Sequence, residues 1–460
     1  MDGATCPGCR EFAQRVVALE AQNAELSRKL EETLRAGKRQ AAPFRKGPPK
    51  AQPKTPGRKS GEQHGTHGHR PPPPPDQIHE CLEAKLPDAC PHCQGHIVET
   101  EVREQFQTEI PRTPIHRQFN VHLGRCVKCG QPAQGHHELQ TSDALGAAAS
   151  QIGPDAQAAA TLLHTKMGLS HGKVTWIFNV FYGIKLTRGA SAQINLRAAT
   201  KLEPDYQLIL GDVKASEQIA ADETGWRLGG QPAWLHVWVG DRSTAYAIDS
   251  QRSTEVLERI IGSDWSGILS HDGYSSYGRF VDAAHQQCLA HVIRRARDLL
   301  ATATRGAVHF PQRLISLFTE AIHLRNRFLL GEVTLAHLEE SREIYDDRLL
   351  KLVSPPRVVP AYEVFANHLW NHFGEWFGFL FDPRIEPTNW KAEQAIRPAV
   401  VNRKVWGGNR TVAGARAQSV LMSVIETCRR GARSALDHIS QTLRSAGNLL
   451  LPRPTLLLGR

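Results

Sequence analysis

A chain of 460 residues with 40% hydrophobic content is long enough for roughly three domains, each with a buried core. Its formal net charge of +10 suits a polyanionic partner, of which nucleic acid is the commonest in a cytoplasm. No apolar run approaches the roughly 20 residues of a membrane helix, and Met1-Asp2-Gly3 opens onto polar, helix-forming sequence rather than a basic-then-apolar leader. The expectation is a cytoplasmic protein with no membrane contact.

Residues 1–37 carry a short heptad. Phe12, Val16, Leu19, Asn23, Leu26 and Leu30 fall at alternating d and a positions, and an amide at an a position favours an in-register two-stranded coil. The predicted element is therefore a dimerisation helix; the same spacing also suits one amphipathic helix packed on its own domain. Cys6-Pro7-Gly8-Cys9 precedes it. One pair cannot complete a metal site, but two chains in a coil would bring Cys6 and Cys9 together as an interchain zinc clasp. A free pair is the alternative.

Residues 38–80 change character. Between Lys38 and Lys59 there are eight Lys/Arg, no acid and many prolines, followed by His64, His67 and His69 and the run Pro71 to Pro75. Such a segment cannot bury enough apolar surface to fold by itself and reads as a basic linker able to lie along phosphates. Its proline run predicts a stiff polyproline II spacer.

Residues 81–140 hold Cys90-x-x-Cys93 and Cys126-x-x-Cys129. Two such pairs in a chain expected in a reducing compartment suit one tetrahedral structural Zn²⁺ in a zinc ribbon. His92, His96 and Cys81 are alternate ligands, and two unrelated reduced pairs are the other reading. Between the pairs, Ile97 to Val102 and Phe119 to Leu123 alternate like short strands. Residues 141–210 read as helical, with Ala158 to Met167, a turn at Gly168-Leu169-Ser170 and a further helix resembling a helix-turn-helix DNA-binding region.

Residues 211–430 switch to strand periodicity, predicting strands over Ile219 to Leu228, Ala233 to Val239 and Thr244 to Ile248, a helix over Thr254 to Ile261, and a fourth strand at Gly267 to Ser270. That order describes the start of an α/β RNase H-like core. A helical insertion over about 300–385 follows, then a helix from Asn389, with residues 431–460 as a helical tail.

Three acids then acquire a shared meaning. Asp222 sits on the first strand, Asp272 at the end of the fourth, and Glu393 in the first turn of a late helix that Thr388 or Asn389 can cap. Phosphoryl transfer by two metal ions needs hard oxygen ligands, and three carboxylates supply them for two Mg²⁺ (or Mn²⁺) ions. Each acid also has an ordinary explanation: a surface group, an Asp-Gly turn at 272–273, a Glu393/Arg397 pair on a solvated helix. Glu223 is the rival to Asp222, but adjacent strand residues face opposite sides.

The local sequences Ala221-Asp-Glu-Thr-Gly-Trp-Arg227, Ser270-His-Asp-Gly-Tyr274, Cys288-Leu-Ala-His291 and Asn389-Trp-Lys-Ala-Glu-Gln-Ala-Ile-Arg-Pro398 resemble those of the insertion-sequence-66 family of bacterial transposases. The order of a zipper-like helix, a basic linker ending His67-Gly-His-Arg70 and a cysteine module is similar too. The resemblance implies that Asp222, Asp272 and Glu393 are the family's three catalytic acids, on an RNase H-like core interrupted by helices. It also implies small accessory proteins of the same element as partners. Trp390 stands where the family usually has a second asparagine.

Around these acids, Cys288 and His291 read as structural support for the core, with His291 near phosphate. Arg294 and Arg295 on one helix, and Arg397, Arg403 and Lys404 after Glu393, are candidate phosphate contacts; a solvated face is the ordinary reading of each. Trp390 and Trp406 suit base stacking or core packing. The expected function is a DNA transposase that cleaves element ends and transfers their 3′-hydroxyls to target DNA, assembled as a homodimer or larger complex. The alternatives are an RNase H-like nuclease without strand transfer and a non-catalytic zinc-containing DNA-binding regulator.

Overall fold

The computed structural model describes residues 71–108, 110, 113–140, 151–303 and 305–445, together with Arg15, Val16, Leu19, Gln22 and Glu25. Those five N-terminal residues are helical and exposed. Cys6, Cys9, Phe12, Asn23, Leu26, Leu30, the basic linker from Lys38 to Arg70 and the tail beyond Ser445 lie outside the described residues. The chain divides into two compact units, Met1–Pro111 and Arg112–Arg460.

In the first unit, Cys90 begins a tight knuckle. The Gln94 N–H donates to the Cys90 carbonyl at 2.9 Å, and the Cys90 N–H donates to the Gly95 carbonyl at 2.9 Å. The alternating stretch at 97–102 forms no strand: Val98 and Val102 are 71% and 78% exposed. Alternation stabilises a strand only where one face has something to be buried against, and the valines here have no such cover.

In the second unit, strand β1 (Leu123–Arg125) pairs antiparallel with β2 (Pro132–Gln134) around the Cys126 knuckle. This ladder replaces the strand expected at 119–123, overlapping it only at Leu123. The Cys126 knuckle repeats the Cys90 pattern, with Gly130 N–H to the Cys126 carbonyl at 2.8 Å and Cys126 N–H to the Gln131 carbonyl at 2.9 Å.

Four helices follow: α1 (Pro154–Thr165), α2 (His171–Tyr182), α3 (Arg188–Lys201) and α4 (Glu203–Lys214). The α1–α2 turn lies at the expected Gly168-Leu169-Ser170, and the Ser170 hydroxyl caps α2 by accepting the Lys173 N–H at 3.4 Å. Strands β3 (Gln218–Leu228), β4 (Gln231–Val239) and β5 (Thr244–Asp249) form an antiparallel meander. After α5 (Thr254–Ile261), β6 (Ile268–His271) returns parallel to β3, and β7 (Ala284–Gln287) lies parallel to β6. The sheet order is β5-β4-β3-β6-β7. The expected strand and helix order is thus present, with β7 an additional strand.

A second core belongs to the helical insertion: α6 (Leu289–Thr302), α7 (His309–Leu329), α8 (Leu335–Val353), α9 (Pro360–Asn371) and α10 (Gly378–Phe381). These helices bury Phe318, Phe365, Trp376, Phe377 and Phe379 completely. The chain then re-enters the sheet layer as α11 (Trp390–Trp406), whose small buried face of Ala392, Ala395 and Ala399 lets it lie close against β3 and β4.

The last long helix, α12 (Val412–Arg430), is buried along nearly its whole length and precedes α13 (Ala435–Arg444). It covers the free edge of β5. Ser419, Ser423 and Thr427 accept the N–H groups of Ile248, Tyr246 and Thr244 at 3.1, 2.9 and 3.1 Å. The match has a metric reason: four helical residues rise about 6.0 Å and two strand residues about 6.6 Å. An edge that would otherwise present open donors is closed by hydroxyls.

Candidate active site

Asp222 lies on β3, opposite Val237 of β4. The parallel register of β3 and β6 pairs Ala220 with Ser270, so Asp222 and Asp272 each stand two residues beyond that pair, at the same level on neighbouring strands. Each carboxylate is fixed by its own backbone. Asp222 Oδ1 accepts the Glu223 N–H at 2.9 Å, and Asp272 Oδ1 accepts the Tyr274 N–H at 3.0 Å. Gly273 completes the second turn at φ 91°, and a Cβ there would stand 2.8 Å from the Gln287 amide oxygen.

Glu393 is carried into place by a clamp at the start of α11. Asn389 occupies the N-cap position, but its side chain does not cap the helix. It donates instead to the Ala221 carbonyl at 2.7 Å, one residue before Asp222, while the Asn389 N–H donates to the Cys288 sulfur at 3.1 Å. The expected cap is therefore corrected: a buried amide is better used joining helix to strand, since the Ala221 carbonyl would otherwise be a lost acceptor. Glu393 N–H still donates to the Asn389 carbonyl at 3.0 Å, so the first turn is regular.

The electrostatics bind these groups into one cluster. Burial, then the negative charges of Glu223, Asp272 and Glu393, push the Asp222 carboxyl up to about 7. Glu223, on the opposite face of β3, is neutralised locally. It receives Arg252 through both Nε (2.9 Å) and a second guanidinium nitrogen, and Tyr277 Oη donates to it at 2.6 Å. Burial nonetheless keeps Glu223 above the usual carboxylate range. Arg252 is itself held between the rings of Trp234 and Tyr274, 4.6 and 3.6 Å from their centroids. Asp222, by contrast, feels the negative charges of Asp272, just beyond β6, and of Glu393 on α11.

Behind Asp272 stands a histidine chain that sequence reading missed. The Gly273 N–H donates to His271 Nδ1 at 3.1 Å, which leaves the His271 proton on Nε2, 2.9 Å from His285 Nδ1. His285 Nε2 then donates to the Phe280 carbonyl at 2.9 Å. Burial drives His271 down to about 3, so its ring is neutral. The only legible signal was the short His271-Asp272-Gly273 run; His285 comes from another strand.

Cys288 is buried at the N-cap of α6, and His291 lies in its first turn. His291 Nδ1 stands 3.8 Å from Glu393 Oε1. The ligand atoms of Cys288, His291 and Glu393 lie within 4.8 Å of one another.

The expected basic residues are distributed unequally. Arg294, Arg397 and Lys404 are exposed. Arg295 packs its guanidinium 4.6 Å over the Phe365 ring in the insertion, a structural use of the side chain. Arg403 reaches under the sheet and donates to the Thr224 hydroxyl at 3.2 Å. Trp406 stacks on His164 at 5.1 Å and meets Trp226 edge-on, whereas Trp390 is 42% exposed.

The thiols Cys90 and Cys126 are both lowered by backbone N–H groups of their own knuckles, His92 and Cys93 in one, Cys129 and Lys128 in the other. Each turn favours thiolate, the form that binds metal. The two pairs fall in different units and are described separately. No helix among the described residues is long and apolar enough to cross a membrane.

Comparison with known proteins places the chain in a family. Residues 149–417 match the model of the transposase IS66 family. Three curated proteins of Sinorhizobium fredii are also similar, all described as uncharacterized. The protein y4qI is 25% identical over 297 residues, covering 57% of this chain and 53% of the relative; y4hP is 26% identical over 284 residues, covering 54% and 51%. The chain spans about half the length of the curated relatives it matches. The family match runs from the helices before β3 through Asp222, Asp272 and Glu393 into α12, and on that ground the chain belongs to the IS66 family of transposases.

Proposed function

We propose that this protein is the DNA transposase of an insertion sequence, with Asp222, Asp272 and Glu393 as its catalytic acids. The observation that carries the reading is the convergence on Asp222. Asp272 approaches from the next strand and Glu393 from a helix clamped to Ala221, and their charges add to burial and to Glu223 in raising its carboxyl to about 7. A site that gathers three acids is suited to divalent cations.

The donor set is all oxygen, which fits Mg²⁺ or Mn²⁺ rather than a soft ion. Bound there, a metal pair supplies charge stabilisation for the attacking and leaving oxygens of an in-line displacement. The chain's own contribution is orientation. Glu223 and Tyr274 N–H groups each hold one oxygen of an aspartate, leaving the other for metal. Asn389 fixes the height of Glu393. Arg397 and Lys404, exposed on the same helix, are placed to meet phosphates; Arg294 can serve the α6 side. The Cys-x-x-Cys turns each offer a pair of sulfurs to structural Zn²⁺, and their backbone N–H groups favour thiolate at Cys90 and Cys126.

The test is Mg²⁺- or Mn²⁺-dependent joining of a labelled element-end oligonucleotide to plasmid DNA by the full chain. Asp222→Asn, Asp272→Asn and Glu393→Gln should each lower joining by about 10³-fold or more with DNA binding retained. Nicking without joining would assign a nuclease, and binding without either reaction a regulator. Full activity in any of the three variants would refute the assignment of that acid.

A further inference from the structure

We propose that Cys288, His291 and Glu393 form a separate transition-metal site, selective for Zn²⁺, that competes with the catalytic cations for Glu393. The proposal shares that carboxylate with the function proposed above, but its first test does not depend on activity.

Three observations converge. The ligand atoms of the three residues lie within 4.8 Å of one another, the single such group among the described residues. His291 Nδ1 and Glu393 Oε1 face each other at 3.8 Å, too far for a hydrogen bond. Both atoms are buried and lack any hydrogen-bond partner, an arrangement that costs free energy unless something occupies the space between them. A tetrahedral Zn²⁺ with ordinary bond lengths sets its ligand atoms roughly 3.3–3.6 Å apart, so only a small closure is required.

The chemistry of the donors distinguishes this site from the aspartate pair. A thiol and an imidazole beside a carboxylate make an S, N, O set that favours Zn²⁺ over Mg²⁺. One thiolate and one carboxylate neutralise the dication. Binding releases the Cys288 proton to solvent and leaves the metal count as the only other change. The backbone prepares the sulfur: Cys288 already accepts the Asn389 N–H at 3.1 Å, a bond that would persist to a thiolate. Cys288 and His291 sit three apart at the start of α6, so one helical turn presents both.

The functional consequence is inhibition. Zinc seated on Glu393 withdraws that carboxylate from the cluster containing Asp222 and Asp272, so micromolar zinc should suppress Mg²⁺-dependent chemistry.

The experiment measures zinc bound to the full chain after dialysis against excess Mg²⁺, for the wild type, Cys288→Ala and His291→Ala. Each variant should carry one equivalent less than the wild type. His291 is half-exposed, so His291→Ala keeps the test open if loss of the buried Cys288 prevents folding. Equal zinc content in wild type and His291→Ala overturns the proposal and assigns the gap to a bridging water. If the chain joins DNA, zinc inhibition should be at least tenfold weaker in His291→Ala; a loss of zinc content without joining activity would instead fault the transposase reading and leave the site standing.

Discussion

Asp222 stands in an environment that opposes its charge. Its carboxyl, raised to about 7, is ionised in the folded state only at a cost. The sign follows directly. A raised carboxylate destabilises the metal-free fold above pH 7, and the penalty fades as pH falls from about 7 toward the unfolded value near 4. Asp222→Asn should therefore stabilise the metal-free protein at pH 8 by on the order of 1–4 kcal/mol and raise its thermal midpoint accordingly. The gain should shrink at pH 5, and Mg²⁺ should raise the midpoint of the wild type but not of the variant. A variant no more stable than the wild type at pH 8 would mean that the clustered charge is already compensated. Asn389 acts at the same scale through geometry. Asn389→Ala leaves the Ala221 carbonyl unpaired and frees Glu393, costing about 1–3 kcal/mol. Joining should drop more than DNA binding does, and equal losses in the two assays would show that the clamp serves only stability.

Among the elements, α12 illustrates how a polar face can be a packing face. Its serines and threonine lie four residues apart and meet alternate N–H groups along β5. Ser423→Ala would remove the acceptor for the buried Tyr246 N–H and should destabilise the second unit by about 1–3 kcal/mol in denaturant unfolding. A neutral result would require a replacement partner for that group. The turn after α11 has a comparable constraint. Gly408 takes φ 113°, and a Cβ would stand 2.4 Å from the Arg227 carbonyl oxygen. Gly408→Ala should consequently loosen the β3–α11 connection and lower the thermal midpoint, whereas Gly278→Ala, where a Cβ meets nothing within 4 Å, should have a much smaller effect. The close approach to Arg227 could not be read locally, because β3 is nearly two hundred residues away along the chain.

For the whole molecule, buried neutral histidines set the response to acid. His164, His236 and His368 are lowered to about 4, and His271 to about 3, chiefly by burial. A lowered histidine means that the unfolded chain binds the proton first, so stability is lost as pH falls from about 6.5 toward 4. Asp222 and Glu223 act in the opposite sense over the same range, but the histidines outnumber them. The midpoint in denaturant should fall steadily from pH 7 to pH 4.5, and His271→Gln should reduce the slope. A flat profile would contradict neutral burial of these rings.

The sequence by itself determined the order of elements in the catalytic region and the candidate acids. Period-two alternation marked β3 to β5, a polar–apolar repeat marked α5, and Asp222, Asp272 and Glu393 stood in motifs resembling the family's. These signals are local, and local spacing is what a linear reading can test. It misread Ile97 to Val102 because alternation reports a preference for burial on one face without saying whether a second layer exists. It gave Asn389 a helix cap because a nearby backbone donor is legible and the distant Ala221 carbonyl is not. Only the tertiary structure decided that Glu223 is neutralised by Arg252 and Tyr277, that Arg295 packs on Phe365, and that His291 faces Glu393. Each of those facts depends on which atoms long-range packing brings within a few ångströms, and charge, burial and hydrogen bonding take their strength from that separation.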